Sequence, residues 1–313
     1  DNRVICVVGP TATGKTKMGV ALAKRFGGEV VSVDSMQIYR GMTIGTAAPT
    51  AEETEGIPHH MVAVADPAES WSVARFTEQA DRCIQDILCR GRRPVLVGGT
   101  GLYLDSILSG RTFAAGHSGG EVRRALQTEL AQDGIEPLYR QLQAIDPTAA
   151  ARLHLSDEKR ILRALEAFRE TGETITAHDA RTRLRPPKYR AYTIGLTFRD
   201  RADLYERIDC RVDTMVGQGL LQEVEALLKS GLPETATALQ AIGYKQFLSV
   251  YRGDTPARDA VAEVKLRSRQ YAKRQLTWLR RKEDIHWILW EKTPDFPAGL
   301  QNATEYLLAQ GLG

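Results

Sequence analysis

What this 313-residue chain lacks narrows its function before anything it contains does. No apolar run approaches the roughly 18 residues that a membrane-spanning helix needs, so no membrane partner is expected. Cysteine is scarce. Cys6, Cys83, Cys89 and Cys210 form no CxxC pair, which argues against zinc sites and disulfide frameworks and for free thiols in a reducing compartment. No signal-peptide pattern precedes the first strand-like run, so the cytoplasm is the expected location. Strong charge of one sign is missing too. The net charge is +3, with −1 over residues 1–110 and +4 over the remainder, so any basic surface belongs to the later part. There is no internal repeat. His59-His60 lacks metal-ligand spacing and is expected to end a loop beside the next strand.

The chain does contain alternating strands and helices. Apolar runs recur at Val4–Val8, Val30–Val33, Met61–Ala65, Val95–Val97, Tyr192–Leu196 and His286–Trp290. Helical patterns, notably Val73–Leu88, separate several of them, which predicts a parallel sheet covered on both faces. Between Gly110 and Arg190 the pattern is helical (Glu121–Gln132, Pro137–Gln143, Glu158–Arg169), with Gly116-His117-Ser118-Gly119-Gly120 and Arg185-Pro186-Pro187 at its edges. Long helical patterns fill 201–229 and 257–282. The predicted fold is α/β: a P-loop doubly wound parallel sheet, residues 1–110 and 191–313, with a helical insertion domain at 111–190.

Directly behind the first strand stands Gly9-Pro10-Thr11-Ala12-Thr13-Gly14-Lys15-Thr16, followed by the helix-forming stretch Lys15–Phe26. Gly9, Gly14, Lys15 and Thr16 fill the four fixed positions of the P-loop, the nucleotide- and ATP-binding pattern. Loop N–H groups and the helix dipole make such a turn an anion cradle. The molecule carrying the phosphate is left open by the motif. Gly28–Val33 reads as the second strand, ending at Asp34, and ligands bind beyond the carboxyl ends of such strands. Read locally, Asp34 is either a site acid or a turn residue. A motor ATPase carries an acid after a later strand. Here Pro94-Val95-Leu96-Val97 runs instead into Gly98-Gly99-Thr100-Gly101, either a plain strand-to-helix turn or a close backbone approach to a ligand, with the Thr100 hydroxyl beside it. The last helical run carries Lys265, Arg267, Arg269, Lys273, Arg274, Arg280, Arg281 and Lys282 against the single acid Glu263, an excess that suits nucleic acid or a phosphate-rich ligand. Tyr271 and Trp278 on it are expected in the core.

The blocks GPTATGKT, DSMQIYRGMTIGTAAP, GGTGLY, DEKRILRALE, LYERIDCRVDTMVGQGLLQEV, AIGYK and RQYAKRQLTWLRR occur in that order between Gly9 and Arg281, nearly the whole chain. Together they resemble the bacterial tRNA dimethylallyltransferases (tRNA isopentenyltransferases). The resemblance implies transfer of a dimethylallyl group from its diphosphate to N6 of the adenosine 3′-adjacent to the anticodon, position 37 of tRNA. Gly9–Thr16 would then cradle the diphosphate leaving group, with Mg²⁺ on the Thr16 hydroxyl. The resemblance further implies Asp34 as the base, Arg211 as part of the diphosphate clamp and Thr100 as a positioning group; read locally, Arg211 is a surface helix Arg. It also implies that Asp34, Ser35, Met36 and Gln37 and the stretch Gln240, Ala241, Ile242, Gly243, Tyr244 and Lys245 contact the flipped base and its neighbours. From the insertion, Arg123 and Lys159, Arg160, Ile161, Leu162 and Arg163 would meet the tRNA anticodon stem-loop. Lys159, Arg160 and Arg163 suit one helix edge, with Ile161, Leu165 and Phe168 buried on the other side; a solvated amphipathic helix is the alternative. The chain departs from the family at 116–120, where an acidic, Pro-containing lead-in is common, and it has no zinc-finger-like extension. The implied partners are tRNA and dimethylallyl diphosphate, acting on a monomer. Three other readings stand beside this one: a P-loop small-metabolite kinase, a prenyltransferase of free adenine nucleotides, and a non-catalytic RNA-binding protein with a relic P-loop.

Overall fold

Strands β1 (Arg3–Val8), β2 (Gly28–Val33), β3 (His59–His60), β4 (Arg93–Gly98), β5 (Arg190–Phe198) and β6 (Ile285–Trp290) pair in parallel in the order β3-β2-β4-β1-β5-β6. These come from a computed structural model that describes residues 2–110, 120–183 and 186–313. Side chains alternate between the sheet's two faces. Val4, Cys6, Val8, Val31, Val33 and Leu96 pack on one side with Phe76, Ile84 and Ile107. Ile5, Val7, Val30, Val95 and Ile194 pack on the other with Met18, Leu22 and Leu276. Burial on both faces is why the strands read as continuous apolar runs.

Register places the functional edge. Val8 of β1 and Val33 of β2 both pair with Gly98 of β4. The residues that follow each, Gly9, Asp34 and Gly99, therefore leave the sheet side by side, at the carboxyl edge where doubly wound sheets hold ligands.

The third strand differs from expectation. It is His59–His60, pairing with Val30 and Val31, and not Met61–Ala65. Met61 and Ala63 have φ of 63° and 51°, left-handed conformations that no strand accepts. A bond from Ala63 N–H to the Gln37 carbonyl and an isolated parallel bridge between Tyr39 and Ala65 are its only backbone ties among the described residues, outside the sheet. The pattern at 201–229 is two helices, Arg201–Gly217 and Leu220–Lys229, broken at Gly219 with φ 103°. The basic helix runs Ala257–Leu279. All four cysteines are free thiols, and among the described residues no helix is long and apolar enough to cross a membrane.

The chain divides into two compact units, Asp1–Leu108 with Tyr189–Gly313, and Ser109–Lys188. In the second, the helices Glu121–Asp133, Ile135–Ile145, Pro147–Ala150, Glu158–Thr171 and Ile175–Arg183 surround Leu126, Leu138, Leu142, Ile161, Leu162 and Leu165. Residues 116–119 and 185, expected at its edges, lie outside the described residues.

At the amino end of β2, Glu29 is 3% exposed and both of its oxygens are taken by Arg90. His60 Nε2 lies 2.8 Å from Oε2. The Arg90 hydrogen bonds, opposed by burial and assisted by His60, hold the carboxyl down to about 2. A carboxyl depressed in the folded state stabilises the fold above its unfolded value and loses that contribution as pH falls toward the folded one. Wild-type stability is therefore expected to fall between about pH 4.5 and 2. Glu29→Gln should be less stable at neutral pH by about 2 kcal/mol and flatter across the acid window. Urea unfolding at a series of pH values measures both; parallel curves would exclude this ion cluster as an acid-sensitive support.

Candidate active site

Gly9 to Thr16 turn from β1 into the helix Lys15–Arg25. Gly9 is required by close approach: a Cβ there would stand 2.3 Å from the Leu196 carbonyl oxygen. Ala12 and Gly14 follow with φ of 65° and 85°, the alternation that turns successive N–H groups toward one point. The loop is tied down inside and out. Thr13 Oγ1 and Lys15 Nζ donate to the Pro10 carbonyl at 2.9 and 2.7 Å. From β6, Trp290 Nε1 donates to the Thr13 carbonyl at 3.0 Å. From the basic helix, Gln275 Oε1 accepts the Thr11 N–H at 3.2 Å.

The charges around this loop suit an anion. Burial, then the Arg211 guanidinium, push Lys15 down to about 7, with Asp34 acting in the opposite direction. Arg211 is itself pushed down by burial, against the pull of Glu53 and Asp34. Its Nε is buried and, among the described residues, makes no hydrogen bond. Two cations held this close with one carboxylate suit a multiply charged anion. The fold thus brings Arg211, on Arg201–Gly217, to Lys15 and Asp34.

Asp34 is both of the things its local sequence allowed. Its Oδ1 accepts the N–H groups of Met36 (2.8 Å) and Gln37 (3.2 Å), the turn role. Among the described residues no hydrogen bond reaches Oδ2. Across the edge, Thr100 Oγ1 is buried and, among the described residues, its one polar neighbour of note is the Tyr271 phenol. The Tyr271 phenol, pushed up by burial, lies where it senses the Asp34 carboxylate, Thr100 and Gln275. Tyr271 is thus a wall of the site, which its expected place in the core did not suggest. Trp278 does pack with the core and donates from Nε1 to Asp105 at 3.2 Å. The glycine turn is closely packed against protein. A Cβ on Gly99 would meet Gln275 Nε2 at 2.2 Å, and one on Gly101 the Trp278 ring at 2.3 Å.

Other expected contacts are rearranged by packing. Gln37 braces the loop that follows it: Nε2 donates to the Thr46 and Ala47 carbonyls, both at 3.2 Å, and Oε1 accepts from Ser32 Oγ at 2.9 Å. Ser35 and Met36 are half-buried. Ala241, Gly243 and Tyr244 are buried, Gln240 and Lys245 are exposed and Ile242 is half-buried. Tyr244 has another task. Its hydroxyl donates to Glu223, whose carboxylate also accepts the N–H groups of Thr43, Ile44 and Gly45 and the Thr43 hydroxyl. Three sequence blocks, TIGT, LLQEV and AIGYK, therefore meet on one carboxylate that sequence reasoning passed over.

In the insertion, Ile161 and Leu162 are buried, 0% and 4% exposed, because they close the core of that unit, so they correct the expectation of RNA contact. Arg123 and Arg163 both reach the buried Glu166 carboxylate, at 3.5 and 3.1 Å. Lys159 and Arg160 are exposed. On the basic helix and in the turn that follows it, Lys265, Arg267, Arg269 and Lys282 pair with Asp213, Glu263, Asp209 and Asp105. Lys273, Arg274, Arg280 and Arg281 are exposed, and among the described residues they make no ion pair. Among the described residues no three His, Cys, Asp or Glu side chains gather as a metal cluster.

Comparison with known proteins agrees with this geometry. The chain matches the model of a family described as IPP transferase over residues 37–282, and one described as isopentenyl transferase over residues 2–63. It is 41% identical over 311 residues to a tRNA dimethylallyltransferase of Acetivibrio thermocellus, covering 99% of each chain. It is 44% identical over 286 residues to that of Geobacter metallireducens, covering 91% of this chain and 92% of the relative. Among solved structures, the full-length tRNA isopentenylpyrophosphate transferase of Bacillus halodurans is 40% identical, with a TM-score of 0.72 over 100% of this chain and 97% of the other. A eukaryotic dimethylallyltransferase acting on tRNA is 30% identical, with a TM-score of 0.82 over 99% of this chain and 78% of the other. A P-loop edge with Lys15, Arg211 and Asp34 gathered on it, and relatives matched nearly end to end, make this chain a member of the tRNA dimethylallyltransferase family.

Proposed function

We propose that this enzyme transfers the dimethylallyl group of dimethylallyl diphosphate to N6 of the adenosine 3′-adjacent to the anticodon, position 37 of tRNA, releasing diphosphate. The observation that carries this reading is the meeting of Lys15, Arg211 and the loop N–H groups with Asp34 at one edge. The C–O bond of the allylic ester breaks, its electron pair leaving with diphosphate. The N6 lone pair forms the new C–N bond, and the N6 proton goes to Asp34 Oδ2. Lys15, Arg211 and the amides of residues 12–16 stabilise the growing negative charge on the leaving group. An amine whose lone pair is delocalised needs its proton removed as it attacks, and a carboxylate within reach supplies that. Thr100 Oγ1, buried beside the Tyr271 phenol, is suited to orient the reacting groups.

Thr16 opens the helix Lys15–Arg25, and among the described residues no hydrogen bond engages its hydroxyl. One hydroxyl with no acidic cluster fits Mg²⁺, which keeps most of its water and takes substrate phosphate oxygens. Thr16 would hold it, and bound there the ion would neutralise diphosphate charge.

The target base must leave its stack to reach this edge. The exposed cations Lys159, Arg160, Lys245, Lys273, Arg274, Arg280 and Arg281 suit RNA phosphates. Each phosphate neutralised lowers log affinity with log salt by roughly 0.7 to 0.9. The proposed location is the cytoplasm, where its tRNA substrate resides, and the proposed working state is a monomer.

Labelled dimethylallyl diphosphate incubated with total tRNA, followed by nucleoside analysis, tests the reading. Label in N6-dimethylallyladenosine is expected, and AMP should not compete. Label in free nucleotide instead, or ATP-dependent phosphorylation of a metabolite, would replace it with one of the rival activities.

A further inference from the structure

Among the described residues, Gln275 is the one side chain that hydrogen-bonds both the phosphate loop and the glycine turn that carries Thr100. It comes from the middle of the basic helix, 264 residues from its partner on the loop, and is 7% exposed. Oε1 accepts the Thr11 N–H at 3.2 Å, and Nε2 donates to the Gly99 carbonyl at 3.1 Å. Both ends of the amide are used, each in the only sense its chemistry allows. The fit leaves no slack. A single added Cβ on Gly99 would meet Nε2 at 2.2 Å, and the same Cβ would stand 3.0 Å from the Gly9 carbonyl oxygen.

The loop does not depend on this amide to keep its shape. Thr13 and Lys15 bond the Pro10 carbonyl within the loop, and Trp290 holds the Thr13 carbonyl from β6. β1 and β4 are joined along their length below it. What Gln275 adds is a fixed separation between two walls. One wall grips the departing diphosphate; the other presents Thr100 opposite Asp34.

From this geometry we infer that Gln275 is a positioning residue, setting the distance between the leaving group and the attacking amine. This rests on the transfer reaction proposed above. Allylic displacement is sensitive to such a distance because carbon carries positive charge as the C–O bond lengthens. If the amine is held too far away, water captures that carbon. Dimethylallyl diphosphate plus water then gives dimethylallyl alcohol, diphosphate and a proton, with no change of oxidation state. A loosened bridge should therefore divert donor into hydrolysis, and not merely slow it.

Gln275→Met keeps the length and volume of the side chain and removes both hydrogen bonds of the bridge, together with the polar contact to Tyr271. Gln275→Glu keeps an acceptor for Thr11 N–H and removes the donor to Gly99. With saturating tRNA and donor, both released diphosphate and modified adenosine are measured for each protein. Wild type is expected to give nearly one modified adenosine per diphosphate. In Gln275→Met, kcat for transfer should fall about 10- to 100-fold, with both KM values within about threefold and a several-fold excess of diphosphate over product. Gln275→Glu should lie between the two. A wild-type ratio and kcat in Gln275→Met would overturn the inference. So would an equal fall in hydrolysis and transfer with a lowered melting temperature, which marks a folding role. Wild type that makes no prenylated tRNA would instead overturn the reaction itself, leaving the bridge without a task.

Discussion

Asp34→Asn is expected to lower the transfer rate about 10²- to 10⁴-fold, the usual contribution of a positioned general base. Asparagine is the decisive substitution because Asp34 has two jobs. Its Oδ1 closes the turn through the N–H groups of Met36 and Gln37, and an amide oxygen in the same place accepts both. What the variant loses is the negative charge and the proton acceptor at Oδ2. tRNA affinity and melting temperature should stay near wild type, so the loss falls in kcat. Asp34→Ala removes the turn as well and should add disorder at Gln37, whose amide holds the Thr46 and Ala47 carbonyls. Single-turnover prenylation together with filter binding of tRNA reads the two apart. Undiminished turnover in Asp34→Asn would remove proton transfer to this residue from the mechanism.

Lys15→Met is expected to reduce kcat/KM for the donor by about 10²- to 10³-fold while tRNA affinity changes little. A second measurement ties the effect to charge. Burial and Arg211 bring Lys15 down to about 7 in the free protein. Bound diphosphate restores its preference for the proton, so binding takes a proton up wherever free Lys15 is neutral. The sign follows by linkage: affinity is fully present below about pH 7 and weakens as pH rises above it. The fall is at most about tenfold per pH unit. Titrating diphosphate into the enzyme at pH 8 in buffers of different ionisation enthalpy should show uptake approaching one proton, lost in Lys15→Met. Equal uptake in both proteins would move the titration to another group.

The parts of the site that are contiguous in sequence were legible there. A P-loop is one stretch whose glycines set its dihedral angles, and the strand before it and helix after it carry their own periodicities. Asp34 follows from the same reading, as the residue where the second strand stops. Met61–Ala65 is as apolar as a strand, yet the left-handed backbone at Met61 and Ala63 leaves only a single bridge, at Ala65, where a strand was expected. Ile161 and Leu162 show the complementary error. They lie between Lys159, Arg160 and Arg163 in sequence, but a helix sends neighbours to different faces, and theirs is the core of the insertion.

By itself, then, the sequence determined the parallel α/β sheet, the anion-binding turn, the acid at the end of β2 and, through its ordered blocks, the family. These depend on local dihedral preference and on which side of an element is apolar, both written in neighbouring residues. Only the tertiary structure decided that Arg211 stands with Lys15, that Glu223 gathers the loop at 43–45 with Tyr244, that Lys265 and Arg269 of the basic helix are neutralised, and that Gln275 joins two walls of the site. Each of these contacts joins residues from 21 to 264 positions apart. Hydrogen bonds and ion pairs act over a few ångströms, so they arise from how elements dock and leave no period in the chain to be read beforehand.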